Sequence, residues 1–372
     1  MTTKKLIILV IIVIGLAAGS YLIYHFYFAQ SSEEKSNGNE ISITPTNTRD
    51  IFPLSKEKVL SPSIDESKQK IKYYSKENGN IYRVNFNGTE LSKISAANLA
   101  GIISLIWSPD KNKVLGTFQQ NDSIKKYLHD YQNGKDTVLN NSIGQAAWSP
   151  DGAKIAVQSY DSASGTNTIS IANADGNGLK AVFQTRLKDI ILEWPTIDKI
   201  SIKTPVSGLS DGLVLIVNPD DGTFKKIING LFGLNIKWSP LGDKFIYSTT
   251  SSDGKNLNIF SASQNGENSK ALRISTLIEK CVFSQDDRTI FCAVPQKLSG
   301  NAVWPDDYYK GLTSVSDQLF KINLDTGEKT LLFSPDPAGK SYDASDIFLS
   351  PQEDYLFFIN KKDGMLYGLK VE

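Results

Sequence analysis

The feature that most constrains the fold is a short motif that returns at nearly regular intervals along the chain. It reads IWSPDKNKVLGTF from Ile106, AWSPDGAKIAVQS from Ala147 and KWSPLGDKFIYST from Lys237, with weaker copies elsewhere. One large apolar residue anchors each copy, and successive anchors are 43, 41, 46, 44, 45 and 66 residues apart. Such a period predicts a repeat architecture, in which each unit packs on its neighbours. The seven anchors are Ile64, Trp107, Trp148, Trp194, Trp238, Phe283 and Leu349.

Each copy predicts two antiparallel strands joined by a tight turn. The first strand ends at the anchor, Ser-Pro-Asp-Gly turns the chain, and an alternating strand follows. Segments 168–183, 213–228 and 318–333 show a second pair of strands with its own Asp/Gly turn. Four strands in about 45 residues make one propeller blade. We therefore predict an all-β, seven-bladed propeller of four-stranded antiparallel blades over residues 57–372, with six or eight blades as alternatives. The anchors are expected to pack against neighbouring blades.

The N-terminal region differs from the repeats in composition. Residues 6–28 contain no Asp, Glu, Lys or Arg, and Lys4 and Lys5 precede them. A helix of this length spans a bilayer core, and flanking positive charge favours the cytoplasmic side. We therefore expect residues 1–28 to form a cytoplasmic tip and a transmembrane helix, which leaves the body outside the plasma membrane. A cleaved signal peptide is the alternative.

Residues 29–56 are rich in Ser, Asn, Glu and Thr, which is typical of a linker. Within them, residues 40–44 (EISIT) alternate as a strand does. The last unit ends after three strands, and an unpaired edge would be exposed there. We expect residues 40–44 to supply the missing fourth strand, so that deleting residues 40–46 lowers the melting temperature.

Net charge and cysteine usage narrow the possible functions. Lys plus Arg and Asp plus Glu each total 40, so the chain lacks the basic excess typical of nucleic-acid binders. Cys281 and Cys292 are the only cysteines, and they face each other if Phe283 pairs with Ile290. A disulfide is then possible in an extracytoplasmic body, and two buried thiols are the alternative. No metal site or cofactor is expected.

Catalytic signatures are absent from the sequence. The chain has two histidines, His25 in the apolar segment and His129 in the second unit, where it precedes a turn. No nucleophile elbow, phosphate loop or zinc-ligand spacing occurs. We therefore predict no catalytic residue and expect that the protein is not an enzyme.

The long interval between Phe283 and Leu349 contains an insertion of roughly twenty residues, around VWPDDYYKG, between the second and third strands of the sixth unit. Loops on a rigid scaffold often carry function, and Trp and Tyr dominate protein interfaces. The set would also suit stacking on a sugar ring. The remaining alternative is that the aromatic side chains fold back on the propeller. The candidate binding residues are Trp304, Asp306, Asp307, Tyr308, Tyr309 and Lys310.

The motifs at Trp107–Asp110, Trp148–Gly152 and Trp238–Pro240 resemble the WD-repeat-like, PD40-type units of TolB-family β-propellers. The resemblance covers roughly residues 57–372 and extends in shape to dipeptidyl peptidase propellers. It implies a bacterial scaffold that binds a partner protein in the cell envelope, and the apolar segment 6–28 adds the expected membrane anchor. A propeller that senses a glycan or small ligand through its central funnel, and a peptidase-accessory or enzymatic propeller, are the alternatives.

Overall fold

Seven four-stranded antiparallel sheets make up the propeller in the computed structural model, which describes residues 50–95, 99–336 and 339–371. The predicted all-β, seven-bladed fold is therefore confirmed. Residues 6–28, the expected membrane helix, lie outside the described residues. Within the described ranges, no helix combines the length and apolar character needed to span a bilayer.

Each blade uses four consecutive strands, except that the last blade takes its outer strand from the N-terminal side. The strands of blades 1 to 3 are β2 (Val59–Ile64), β3 (Lys70–Ser75), β4 (Ile81–Asn85) and β5 (Ser92–Ser95); β6 (Ile102–Trp107), β7 (Lys113–Gln120), β8 (Ser123–Asp130) and β9 (Lys135–Val138); and β10 (Ala146–Trp148), β11 (Lys154–Asp161), β12 (Thr166–Asn173) and β13 (Lys180–Thr185).

Blades 4 to 7 repeat the same antiparallel order. Their strands are β14 (Ile191–Thr196), β15 (Lys199–Lys203), β16 (Asp211–Val217) and β17 (Phe224–Phe232); β18 (Asn235–Trp238), β19 (Lys244–Thr249), β20 (Asn258–Ser263) and β21 (Lys270–Ala271); β22 (Cys281–Phe283), β23 (Thr289–Pro295), β24 (Asp317–Asn323) and β25 (Lys329–Phe333); and β26 (Ala344–Leu349), β27 (Tyr355–Asn360), β28 (Leu366–Lys370) and β1 (Ile51–Pro53).

The Ser-Pro-Asp-Gly turns are held by their own side chains. In blade 3 the Ser149 hydroxyl donates to Asp151 at 2.6 Å and accepts from the Lys154 backbone N–H at 2.9 Å. Gly152 takes a φ of 70°, a left-handed conformation that glycine adopts without steric cost. Because this chemistry is local, the sequence alone places the first hairpin of each blade.

The anchors occupy equivalent places on the inner strands, which contact one another around the central axis. Six anchors are the last residues of their strands, and Trp194 lies within β14. Four of the anchors are buried: Trp148, Trp194, Trp238 and Phe283. The other three, Ile64, Trp107 and Leu349, are partly exposed. The core consequently lies between blades: one cluster joins Phe291 of blade 6 to Phe358 of blade 7.

Ring closure uses a different segment from the one expected. The outer strand of blade 7 is β1, whose Ile51, Phe52 and Pro53 pair with Leu369, Gly368 and Tyr367 of β28. Residues 40–44 lie outside the described residues, and the edge assigned to them is already occupied. The propeller thus starts at Ile51 rather than at residue 57.

Cys281 and Cys292 face each other directly on β22 and β23, in register with the Phe283–Ile290 pair. The structure joins them by a disulfide with an S–S distance of 2.07 Å. Both residues are buried within the core between blades 5 and 6. The bond therefore ties the two inner strands of blade 6 together next to the insertion.

Candidate functional site

The insertion comprises residues 296–316, between β23 and β24, and contains the single helical turn α1 (Asp306–Tyr309). It lies on the face that carries the loops between second and third strands, which we call the insertion face. The opposite face carries the Ser-Pro-Asp-Gly turns, and we call it the turn face. This assignment follows from the antiparallel order of every blade.

Trp304 and Tyr308 do not form an exposed binding surface. Trp304 is 2% exposed and Tyr308 is 3% exposed, and both pack in a cluster with Leu257 and Leu277. The prediction that these two rings bind a partner is corrected, because an interface anchor has to be accessible to its partner. The aromatic side chains have folded back on the propeller, which was the other alternative for this segment.

Asp306 and Asp307 also hold the insertion in place. Asp306 accepts hydrogen bonds from the Ser207 hydroxyl at 2.9 Å and the Gly208 N–H at 2.7 Å, in the loop between β15 and β16. Asp307 accepts from the Val303 N–H at 2.8 Å. A Cβ atom at Gly208 would lie 2.0 Å from the Trp304 carbonyl oxygen, so glycine permits this close approach. These two carboxylates therefore serve the fold of the insertion.

A buried ionic cluster fixes the other side of the insertion. The Lys280 ammonium donates to Asp317 Oδ2 at 2.7 Å, Asp343 Oδ1 at 2.7 Å and the Ala344 carbonyl at 2.9 Å. These bonds use all three of its donors. The Tyr308 hydroxyl donates to Asp343 at 2.7 Å, so the cluster connects the insertion to blade 7.

The two carboxyl groups of the cluster have opposite pKa shifts. Burial raises the pKa of Asp317, and Lys280 offsets only part of that effect. Burial also acts on Asp343, but Lys280, Tyr308 and Ser314 outweigh it and hold its pKa below the usual value. The negative charge of the cluster is therefore held more firmly on Asp343.

Tyr309 and Lys310 are the predicted residues that remain exposed. Tyr309 is 45% exposed, and its hydroxyl donates to Glu279 Oε2 at 3.1 Å. Burial of the hydroxyl group raises the pKa of Tyr309, and the negative charge of Glu279 raises it further by a smaller amount. Tyr309 thus presents an accessible ring next to Glu279, and its role in binding stays a prediction.

Next to Glu279, a cavity of about 410 Å³ runs along the channel wall between the inner strands of blades 4 and 5. We call it the funnel cavity. Lys203 lines it and donates to Glu193 at 2.6 Å and to Asn235 at 3.0 Å. Lys237 also lines it, and burial lowers the pKa of this lysine. Its lining residues are Glu193, Trp194, Pro195, Lys203, Asn235, Ile236, Lys237, Trp238, Ile278 and Glu279.

Several polar atoms of the funnel cavity lack partners among the described residues. The indole N–H groups of Trp194 and Trp238 are buried and make no hydrogen bond, and neither does Oε1 of Glu279. In contrast, the indoles of Trp107 and Trp148 donate to backbone carbonyls of the preceding blade at 2.8 Å and 3.1 Å. An unpaired buried polar group costs about 1–3 kcal/mol. Two unused donors and one unused acceptor therefore belong to residues that line one cavity.

The repeat motif predicts only blade packing for Trp194 and Trp238, and it does not identify Glu193, Lys203 or Glu279 as site residues. The relevant difference between the tryptophans is whether a carbonyl lies within reach of the indole nitrogen. In blade 4 the strand register shifts between Glu193 and Thr196, around Pro195. The departure of this copy from the motif, EWPTID instead of WSPDG, was the one signal of the site in the sequence.

His129 lies on β8, as expected, and its Nδ1 is 2.8 Å from Asp136 Oδ1. The ring also packs edge-on against Tyr131, with centroids 4.3 Å apart. This pair lies in blade 2 and lines a different cavity from the funnel cavity.

Comparison with known proteins finds solved structures of similar fold but assigns the chain to no family. No family model matches the chain, and no curated protein matches it. Among solved structures, an oligogalacturonate lyase from Vibrio parahaemolyticus is similar, with a TM-score of 0.63 and 11% identity over 89% of this chain and 96% of that one. An oligogalacturonate lyase in complex with manganese has a TM-score of 0.61 and 12% identity, covering 88% and 99%.

TolB from Acinetobacter baumannii is also similar, with a TM-score of 0.46 and 15% identity over 76% of this chain and 68% of that one. TolB proteins are thus among the structural neighbours, in keeping with the TolB-like repeats. At this TM-score the similarity carries no functional argument.

The lyases correct the expectation that the chain is not an enzyme. Their similarity extends over nearly their full length, so enzymes are found on this fold. The shortage of histidines in the sequence was therefore an insufficient reason to exclude catalysis. Within the described residues, no three side chains among His, Cys, Asp and Glu are gathered closely enough to hold a metal ion. We assign no metal-dependent step to them.

Proposed function

We propose that this protein is a membrane-tethered, extracytoplasmic propeller that binds a saccharide in the funnel cavity. Residues 6–28 would be the membrane anchor. The observation that carries the proposal is that Trp194, Trp238 and Glu279 line one cavity and that each has a buried polar atom without a partner among the described residues, the two indole N–H groups and Oε1 of Glu279.

A saccharide suits this lining because its hydroxyl groups both donate and accept hydrogen bonds. The indoles and Lys237 offer donors, and Glu193 and Glu279 offer acceptors. The exposed ring of Tyr309, whose hydroxyl donates to the lining residue Glu279, offers a face for stacking. A volume of about 410 Å³ lies within the range of small-ligand sites. The neighbouring lyases are named for a saccharide substrate, an oligogalacturonate, which supports the choice of a saccharide.

The test uses the full chain in mild detergent and three probe sets: oligogalacturonates, chitin oligosaccharides and neutral glucose oligosaccharides. We expect one set to bind, and we expect Trp238→Phe to weaken that binding about 2- to 10-fold, the equivalent of one hydrogen bond. Calorimetric titration measures the affinity, and mass spectrometry of the same samples shows whether the bound saccharide is cleaved.

Trp107→Phe is the matched control for this variant. The Trp107 indole already donates within the protein, to Ser61 at 2.8 Å. Loss of this hydrogen bond in Trp107→Phe should lower the stability of the fold and leave the saccharide affinity unchanged. Equal affinities for wild type and Trp238→Phe, or no binding of any probe, would contradict the proposal.

A protein partner is the second candidate function, and it now relies on different residues. Leu209 and Leu312 are 58% and 73% exposed, and both lie on the insertion face near the exposed Tyr309. Leu209 follows Gly208, which is bonded to Asp306 of the insertion. Exposed large apolar side chains that lie together are typical of interaction surfaces. The scaffold hypothesis is therefore retained for this surface.

Site-specific photo-cross-linking in cells tests the scaffold hypothesis. A photoreactive residue is placed at Leu209 in one variant and at Leu312 in another. Both variants are expected to capture the same envelope protein. Leu241 is the matched control, because it is 61% exposed and lies in a turn on the opposite face. Capture of the same protein from Leu241, or of none from Leu209 and Leu312, would refute a partner at the insertion face.

A further inference from the structure

A second cavity, of about 780 Å³, lies between blades 1 and 2. We call it the interblade cavity. Tyr74 and Ile81 line it from blade 1, and Val114, Phe118 and Tyr127 line it from blade 2. It shares no lining residue with the funnel cavity, so a ligand bound here would not depend on saccharide binding there.

The interblade cavity has a specific cause in the repeat. In six blades the anchor pairs directly with a residue of the second strand. The residue two positions further along that second strand faces the preceding blade. In blade 2 the anchor Trp107 pairs with Val114, and the residue at this position is Gly116. The five other blades with a directly paired anchor carry a side chain there, and these residues are Tyr73, Val157, Tyr247, Cys292 and Phe358.

Those five side chains fill the space between their blades. Tyr247, for example, packs with Val214 of blade 4, and Phe358 packs with Phe291 of blade 6. Phe118 covers part of the corresponding space in blade 2: a Cβ atom at Gly116 would lie 2.4 Å from its Cε2 atom. The remaining space is the interblade cavity, which lies within the size range of small-molecule sites.

The lining of the interblade cavity selects against charged ligands. No Lys or Arg is among its described lining residues. Its one carboxylate, Asp136, is already bonded to His129 at 2.8 Å. The rings of Tyr74, Phe118 and Tyr127 supply flat apolar walls. An aromatic molecule without net charge therefore fits this lining best.

One hydrogen-bond donor is free in this cavity. The hydroxyl groups of Tyr74 and Tyr131 are bonded to each other, and in such a pair only one proton is used. Neither hydroxyl has another partner among the described side chains. Burial raises the pKa of Tyr74 to about 12, so this hydroxyl keeps its proton at neutral pH. The second proton can be donated to an acceptor on a ligand.

We propose that the interblade cavity binds an uncharged, largely aromatic small molecule that carries a hydrogen-bond acceptor, such as an aryl ketone. The rings of the ligand would pack between Tyr74 and Tyr127, and its acceptor would meet the Tyr74–Tyr131 pair.

Photolabelling with benzophenone tests this proposal, because benzophenone is an uncharged aryl ketone that inserts into nearby C–H bonds under light. With the full chain in mild detergent, saturable labelling is expected on peptides of blades 1 and 2 that contain the lining residues. The double change Tyr74→Phe with Tyr131→Phe should reduce labelling about 2- to 10-fold, as expected for one hydrogen bond, because either tyrosine alone would keep one free proton. The charged analogue 4-benzoylbenzoate should label at least about 10-fold less, because a carboxylate without a cationic partner is costly to bury.

Val114→Phe places a ring in the cavity and should abolish the labelling without lowering the melting temperature. Val138→Phe is the matched control, since Val138 is 61% exposed on β9 of the same blade. Leu105→Phe is a second filling variant in case the first does not fold. Labelling that persists in both filling variants, that does not saturate, or that is equal for 4-benzoylbenzoate would overturn the proposal.

Discussion

Replacing Lys280 with methionine is expected to lower the free energy of unfolding by roughly 3–5 kcal/mol, because the change leaves two buried carboxylates without their cation. Lys280, Asp317 and Asp343 are 0%, 1% and 0% exposed, and Lys280 lies 2.7 Å from each carboxylate. Tyr308 donates to Asp343, so release of the cluster also loosens the insertion. Denaturant titration of wild type and variant measures the difference.

Two further variants control for this result. Lys310→Met makes the same change at an exposed lysine of the insertion, and its effect should stay within about 0.5 kcal/mol. The triple variant Lys280→Met, Asp317→Asn, Asp343→Asn removes both stranded charges and should recover most of the lost stability. A loss below about 1 kcal/mol for Lys280→Met would show that the cluster is not buried as described.

The pH dependence of the Lys280→Met variant follows from the two pKa shifts. Asp317 has a raised pKa in the folded state. Its contribution to folding stability is therefore present at low pH and is lost as the pH rises through that folded-state pKa. Asp343 has a lowered pKa in the folded state. Its contribution to folding stability is therefore present above the pKa of the unfolded state and is lost as the pH falls through the pKa of the folded state. Lys280 lowers the pKa of both groups. The destabilisation of Lys280→Met should therefore be largest near neutral pH and shrink toward about pH 4, where protonation neutralises the stranded carboxylates.

The blades could be predicted from the sequence because their signals are local. Ser149, Asp151 and Gly152 make a complete turn from residues that are adjacent in the chain. The Cys281–Cys292 register likewise follows from counting across one hairpin. The same chemistry recurs in each unit, so several weak local signals support one another.

The candidate site could not be predicted in this way, because its contacts join distant parts of the chain. Asp306 is bonded to Gly208, and Tyr308 is bonded to Asp343. Whether Trp304 is exposed or buried depends on loops from other blades, and no local window contains them. The funnel cavity brings Glu193 and Glu279 together from different blades for the same reason.

The closing strand was misplaced for a related reason. Residues 40–44 alternate clearly, whereas β1 has only three residues and includes Pro53. Proline in a strand is tolerated at a sheet edge, where one side of the backbone needs no partner. β1 is the outer edge of blade 7, so a weak strand pattern is sufficient there.

Deleting residues 51–55 is expected to lower the melting temperature by at least about 10 °C, because the ring then loses its closing strand. Truncating one buried Leu or Phe side chain costs roughly 2–5 kcal/mol, and a change of 1 kcal/mol shifts the midpoint of a large domain by about 2–4 °C. Leu54 is 2% exposed in the core between blades 7 and 1, and its N–H donates to Leu366 at 2.8 Å. Phe52 fits against Gly368, where an added Cβ atom would lie 2.9 Å from its ring.

Deleting residues 40–44 is the matched control, because it removes the same number of residues from the N-terminal side. That deletion should leave the melting temperature unchanged, since β1 already pairs with β28 and no edge there needs a second strand. The two deletions separate a closing strand from a linker, because both shorten the chain equally and the deletion of residues 51–55 removes the ladder hydrogen bonds and buried side chains of β1. If removal of residues 40–44 lowers the melting temperature as much as removal of residues 51–55, the ring is closed by the earlier segment.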